Sequence, residues 1–419
     1  MKPRARLVGL VAMAASLAFL AIRTACYLPF ARSPVATPGN LRPAGATAPA
    51  AAAEEPLLIR GVLHVHLPTR LAAFQATLRA ASRASLDFIL FSSPQTLDPS
   101  TDGREGYYTL AGLQPRHDSS GEGAASHPLL VLMGVEVETD RGPLLIAGGT
   151  TSSYPLTHRS TSLIQAAHAA GALVLALRPC HLPQREGSVS SPATPDPPAG
   201  VDGVEAVSLA ADFTSFRYPR LLGAGLIALL NRPAALASLA QQPADGRPPA
   251  ATLSWPGPAR PVGGFGLTPG EGTWPDRAEP DWTLDWVTTT VRLDYPLSRQ
   301  PAQFAQDREA LLEALIQGQT GVVVNAWGKE PPPRLTYEPG ESRVHAVFKG
   351  DPPVWMVLRQ DGRVAAEGPG PVLAAAPAGS GAWRVETYLR RRDAGLPGAG
   401  WLLWQVPGPL LVASGEEPP

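Results

Sequence analysis

The sequence predicts an α/β domain, either a barrel or an open sheet, followed by a small all-β domain. Three observations carry this reading. Short apolar runs alternate with helix-spaced stretches from residue 57 to about 330. Beyond Pro331-Pro332-Pro333 the apolar period changes to two. Of the 419 residues, 44% are apolar and 17% charged, which suffices for a large buried core and rules out a disordered chain.

Lys2, Arg4 and Arg6 precede sixteen uncharged residues, 7–22, in the order of a signal peptide or signal anchor. Sixteen helical residues reach about 24 Å against a hydrocarbon core of about 30 Å, which favours a signal peptide. Residues 24–31 add apolar length beyond Arg23, so an uncleaved N-terminal membrane anchor stays open. The charge at Arg23, just before Thr24-Ala25-Cys26, speaks against lipid attachment at Cys26. Residues 33–56 are almost all Ala, Pro, Thr and Gly, too poor in large apolar side chains to fold, and form a semi-extended tether.

Residues 57–66 are strand-like, 70–84 carry helical spacing, and 86–91, apolar apart from Asp87, suit a strand buried on both faces. Strands follow at 129–138 and 143–147 around Asp140-Arg141-Gly142, then a helix at 160–170 ended by Gly171, and a buried strand at 172–177. A strand at 204–209, a helix at 218–239 broken at Pro233, a strand at 287–293, a helix at 307–317 ended by Gly318 and a strand at 322–325 continue the alternation. Residues 98–127, 185–200 and 241–250, rich in Gly, Ser, Pro or charge, are surface insertions. Period-two strands occupy 344–348, 354–358, 364–366, 382–389 and 401–406, with Asp361-Gly362 as a hairpin turn. The division is thus 1–32 signal or anchor, 33–56 linker, 57–330 α/β domain and 341–413 β domain.

Composition also excludes function classes. Lys plus Arg is 35 and Asp plus Glu 36, a net charge of −1 that offers no field of one sign, so no nucleic-acid partner is expected. Two cysteines cannot build a disulfide framework or a Cys-based zinc site. No Gly-x-Ser-x-Gly elbow, Walker sequence, dinucleotide fingerprint or Cys-x-x-Cys pair is present, and Gly263-Gly264-Phe265-Gly266 is followed by no helix-forming run.

His64-Val65-His66 ends the first strand. Residues two apart in a strand share a face, so both imidazoles face one side where strand gives way to loop, the place at which α/β folds build their sites. Two neutral imidazoles on one face suit a divalent metal completed by carboxylates; a structural or surface pair is the blander alternative.

The run Arg60-Gly61-Val62-Leu63-His64-Val65-His66, a helix, Leu86-Asp87-Phe88-Ile89-Leu90-Phe91, Gly134-Val135-Glu136-Val137, and the segment from Ala166 to Leu175 around His168 and Gly171 resemble, in order and spacing, the polymerase and histidinol phosphatase (PHP) domain superfamily, most closely its exported carbaryl-hydrolase-like branch. The resemblance covers about 57–330, and the C-terminal part, with Ala382-Trp383-Arg384-Val385-Glu386 and Pro409-Leu410-Leu411-Val412, is similar to the sandwich that follows in that branch. It implies a distorted (β/α)7 barrel whose strand ends hold up to three metal ions, with a metal-bound hydroxide attacking phosphate or carboxyl esters. On this resemblance His64, His66 and Glu136 keep ligand positions, whereas the Thr-Asp-His motif falls on Ser92-Ser93-Pro94, two histidines fall on Pro143 and Arg178, and the late Asp-x-His falls on Phe265 and Leu267. No cofactor is expected, or at most one divalent ion, zinc or manganese, since three ligands can hold no more.

Arg178 cannot ligate a metal but matches Glu136 as an ion-pair partner, or else turns to solvent. His181, three residues on, stands at the expected rim. Glu138 shares a strand face with Glu136 and offers a second carboxylate, unless it pairs with Arg141. Glu205 points into the site or balances a local Arg; His168 lacks an acidic neighbour in sequence and is solvated or at a core edge; Arg390-Arg391-Arg392 before Asp393 is a solvated hairpin tip. The expected function is that of an exported, non-catalytic binding or scaffolding protein of the cell envelope, its partner a small molecule or an envelope component. The alternative is a mononuclear hydrolase of phosphate or carboxyl esters through His64, His66 and Glu136. A purely structural barrel is the third reading.

Overall fold

The computed structural model describes residues 57–94, 104–109, 128–149, 159–177, 197–208, 260–264, 268–269, 277–278, 284, 286–325, 330, 332–350, 353–390 and 401–412. They belong to one compact unit, Pro56–Phe216 with Ala240–Pro419. The expectations for the N-terminal segment and tether, the helix at 218–239, Arg178, His181, Phe265, Leu267 and the end of the 390–392 arginine run fall outside these residues. Among the described residues no helix is long and apolar enough to cross a membrane.

The chain runs β1 (Leu57–His66), α1 (Leu71–Arg83), β2 (Phe88–Pro94), β3 (Gly106–Tyr108), β4 (Leu129–Thr139), β5 (Gly142–Ala147), α2 (Ser160–Ala169), β6 (Leu173–Ala176), β7 (Gly203–Ser208) and β8 (Arg260–Gly264). Strands β1, β2, β4, β5, β6, β7 and β8 pair in that order, and Leu63 against Gly264 closes the ring into a seven-stranded barrel. The open-sheet alternative is thereby removed. Neighbours in the ring run parallel except at β5, which is antiparallel to both β4 and β6. Among the described residues the ring is thus a mixed barrel rather than the distorted (β/α)7 barrel that the resemblance implies: β4 and β5 form a tight hairpin over Asp140 and Arg141, with no room for a crossover helix.

Alternation along the strands separates two layers. Ile59, Leu63, Phe88, Leu90, Leu130, Leu132, Leu145, Leu173 and Leu175 form the inner layer, joined by residues of the helix near Leu311. Val62, Val65, Ile89, Phe91, Val131 and Met133 turn outward onto Phe74, Leu78 and Ala81 of α1, while Val135, Val137, Ile146 and Val174 turn onto Leu163, Ile164 and Ala167 of α2. β2 is thus buried on both faces, as its unbroken apolar run requires.

Short strands β9 (Thr268–Pro269) and β10 (Arg277–Ala278) pair with each other. Then come β11 (Val287–Leu293), α3 (Phe304–Gln317) and β12 (Thr320–Val324). The helix ends at Gly318, whose φ of 76° is the left-handed cap that the sequence signalled. β11 runs antiparallel to the first half of β1, and β12 to β11. β1 therefore branches: its first half binds β11 and its end binds β8.

The remaining strands are β13 (Arg334–Glu338), β14 (Arg343–Val347), β15 (Val354–Gln360), β16 (Arg363–Pro369), β17 (Val372–Ala375), β18 (Gly381–Arg390), β19 (Trp401–Pro407) and β20 (Leu410–Val412). One sheet orders β16, β15, β18 and β19, the other β13, β14 and β17, and Val344, Ala346, Met356, Leu358, Trp383, Val385 and Trp404 fill the space between. Asp361 and Gly362 both have positive φ, the type I′ geometry expected of an Asp-Gly hairpin. β19 also pairs with β12, so the sheet continues unbroken from the barrel into the sandwich. The outward face of β18 is not polar and wet: Glu386, fully buried, accepts from Arg359 Nε at 2.8 Å, Arg384 at 3.3 Å and the Tyr388 hydroxyl at 2.8 Å.

Candidate metal centre

The centre depends on an irregularity in β1. Val62 pairs with Ile89 and Val65 with Phe91, so three residues of β1 span two of β2. Val62 and Val65, an odd number apart, consequently face the same outer layer, while Leu63 faces inward. His64 is the extra residue, and its φ of 54° lies in the left-handed region, which costs a non-glycine residue about 1–3 kcal/mol. In a regular strand Leu63 and Val65 would point in and both histidines out. The bulge reverses that parity. His66 therefore joins His64 in the barrel, with ring centroids 5.1 Å apart. Convergence of the pair, expected from simple alternation, comes instead from a break in it.

Glu136 lies inward on β4, following the inner Leu130 and Leu132. Its Oε2 is 3.6 Å from His64 Nε2 and 3.5 Å from His66 Nε2. Both separations are too long for good hydrogen bonds, and both nitrogens are buried with no hydrogen-bond partner among the described residues. On the far side of the ring, His64 Nδ1 is 2.9 Å from Oε1 of Glu205, which is fully buried on β7. Glu205 thus points into the site. It is level with the inner Val262 of β8, so the regular pleat of β7 aims it there.

Burial opposes a charged imidazole, but Glu205 and Glu136 outweigh it and push the His64 pKa up to about 10. Burial likewise opposes ionisation of Glu136, and the close approach of His64 and His66 overcomes it, holding the carboxyl well below the usual range. Glu136 therefore stays ionised through the two histidines. The Arg178 partner proposed for that purpose in the sequence lies outside the described residues, as does His181.

The donor set fits a cation. Ligand atoms about 2.0–2.1 Å from a tetrahedral zinc lie roughly 3.3–3.4 Å from one another, close to the 3.5 and 3.6 Å measured here. His64, His66 and Glu136 would hold the ion, and Glu205 would stand behind His64 as its orienting carboxylate. A proton on His64 Nε2 would have to leave first.

Other candidates fall outside this cluster. Glu138 is exposed and level with Pro143, at the far end of the β4–β5 hairpin. Pro94 sits at the register position beside Glu136, so a residue without a donor atom occupies what the resemblance makes a ligand position. Ser92, level with His66, is 1% exposed and its Oγ lacks a hydrogen-bond partner among the described residues; a serine within an apolar strand was a signal that could have marked it. His168 has the acidic partner that its sequence neighbourhood lacked: Asp202 Oδ2 lies 3.1 Å from its Nε2 and also accepts from the Val174 N–H. That contact ties α2 to the β6–β7 connection and builds no site. Glu338, Glu341 and His345 gather at the β13–β14 hairpin, where both carboxylates are exposed and pair with the histidine.

No family model matches the sequence, and no curated protein matches it. Among solved structures the chain is similar to a two-domain protein from Bacteroides vulgatus containing a predicted PHP-like metal-dependent phosphoesterase. Identity is 12%, the match covers 85% of this chain and 96% of that one, and the TM-score is 0.32. So slight a likeness carries neither the fold nor the chemistry, which rest on the geometry above.

Proposed function

We propose that this protein is an exported, PHP-like barrel that holds a single divalent cation, zinc or manganese, through His64, His66 and Glu136. The observation that supports it is the pair of buried imidazole nitrogens, without a hydrogen-bond partner among the described residues, that face one carboxylate oxygen at metal-ligand separation. The ion would supply Lewis-acid polarisation of an oxygen-bearing ligand. Three protein ligands leave a coordination position open, and the 30% and 26% exposure of His66 and Glu136 gives a ligand access to it. This favours a mononuclear hydrolase of phosphate or carboxyl esters. The second reading, a non-catalytic envelope binding protein, is favoured by Pro94 beside Glu136, since a proline there cannot contribute to a second ion. Export rests on the basic flank and apolar run at the N-terminus.

Metal analysis of the purified protein after exposure to zinc and to manganese, followed by dialysis, tests the reading. Near-stoichiometric uptake is expected, and none overturns it. Turnover of simple phosphate and carboxyl esters by the loaded protein then separates hydrolase from binding protein. A cytoplasm-only reporter that is active when fused after Ala413 would contradict export.

A further inference from the structure

We propose that Glu205 is the positioning residue of this centre, selecting through His64 the nitrogen that faces the cation; the proposal rests on the one-cation reading above. An ionised carboxylate only accepts hydrogen bonds. With Oε1 at 2.9 Å from Nδ1, the proton of a neutral His64 must sit on Nδ1, which leaves the Nε2 lone pair directed towards Glu136 and His66. The opposite tautomer would set two lone pairs against each other in a fully buried contact.

The fold holds Glu205 there by two separate means. Regular alternation on β7 turns Glu205 inward, level with the inner Val262 and two residues beyond Gly203, which pairs with the inner Leu175. On the neighbouring strand, Gly264 carries no side chain, and any Cβ there would collide with the Glu205 carboxylate. A second negative charge is thereby placed behind the imidazole, where it raises ligand basicity without occupying a coordination position. Glu205 contacts no reacting atom; it acts through His64.

Cobalt(II) titration of the full chain, followed by visible absorption and calorimetry, together with 15N spectra of the histidines in the zinc-loaded protein, tests this. In the wild type Nδ1 of His64 should be protonated and Nε2 metal-bound. Glu205→Gln should weaken cobalt binding about 10–100-fold and give a mixture of tautomers, because an amide can donate as well as accept. Cobalt affinity within about twofold of wild type in the variant overturns the proposal while leaving the one-cation reading standing. A lower melting temperature with an unchanged tautomer and cobalt spectrum overturns it too, since that is a merely structural role. Should Glu205→Gln not fold, the wild-type spectra decide: Nδ1–H supports the assignment and Nε2–H removes it. Absence of cobalt and zinc uptake by the wild type removes the one-cation reading and this inference together.

Discussion

Glu205 occupies the space that a side chain at Gly264 would need. The two residues sit on adjacent parallel strands, with Glu205 level with Val262 and Ser208 level with Gly264, and the carboxylate lies directly over the glycine Cα. A residue fully buried at the centre of the barrel therefore depends on the absence of a methyl group next door.

Gly264→Ala should consequently be destabilising, by about 1–3 kcal/mol as for other overpacked sites, and should also weaken cation binding by displacing Glu205 from His64. Urea denaturation and metal titration measure the two effects. Wild-type stability and affinity in this variant would show that the contact is not tight.

Substitution at the centre should separate the candidate carboxylates. His64→Ala, His66→Ala and Glu136→Ala are each expected to lower zinc affinity by more than the roughly 10–100-fold of an outer-shell change. Glu138→Ala, at an exposed position, should change it by no more than about twofold. Calorimetry on the four variants provides the comparison, and an equal loss at Glu138 would move the site along β4.

The metal-free protein should lose stability on the alkaline side. His64 titrates at about 10 in the folded chain, above its ordinary value of 6.5. A raised value means that the folded state holds the proton more tightly than the unfolded one. The contribution is then complete below about pH 6.5 and falls as pH rises through about 10, by a few kcal/mol in total. Urea midpoints measured in chelator between pH 6 and 10 should fall in the wild type and fall much less in His64→Gln; parallel curves would refute the assignment.

Asp307 should be the corresponding acid-side group, away from the centre. It accepts from the Ser298 N–H at 2.9 Å, the Ser298 hydroxyl at 2.6 Å, the Arg299 N–H at 3.1 Å and the Tyr107 hydroxyl at 2.5 Å. Burial opposes its charge, and the bonds from Ser298 and Tyr107 prevail, lowering its pKa. Its contribution is present above the ordinary aspartate range and is lost as pH falls through the folded value. Asp307→Ala should cost about 2 kcal/mol or more at neutral pH, by leaving several donors unmatched, and should flatten the acid limb of the denaturation profile.

Local pattern carried much of the architecture. β1, β2, β4, β6 and the three helices lie within a few residues of their expected places, because apolar period, Gly318 and Asp361-Gly362 act over a few neighbouring residues. The His-x-His pair was legible for the same reason, since it sits where an apolar strand gives way to polar residues, whereas Glu136 was marked only by the resemblance. The β4–β5 hairpin was legible in the Asp140-Arg141-Gly142 turn between two apolar runs. The antiparallel pairing of β5 with β6 was not, because the connection through α2 is long enough for a parallel crossover.

Amino-acid pattern alone was sufficient to place two imidazoles at a strand end of an α/β domain and to forecast the β region that follows, while the carboxylate at Glu136 was named only by the resemblance. Which of them meet, and behind which partner, was settled by long-range packing. Strand parity would have sent His64 and His66 outward, and one left-handed residue turned them in, at a cost that no window of sequence displays. Glu205 is 141 residues from His64 in the chain, and Asp202 reaches His168 across the α2–β7 connection. Such contacts form because closing the barrel brings strand ends together, and the free energy that makes them worthwhile comes from burial shared by the whole ring rather than from the residues themselves.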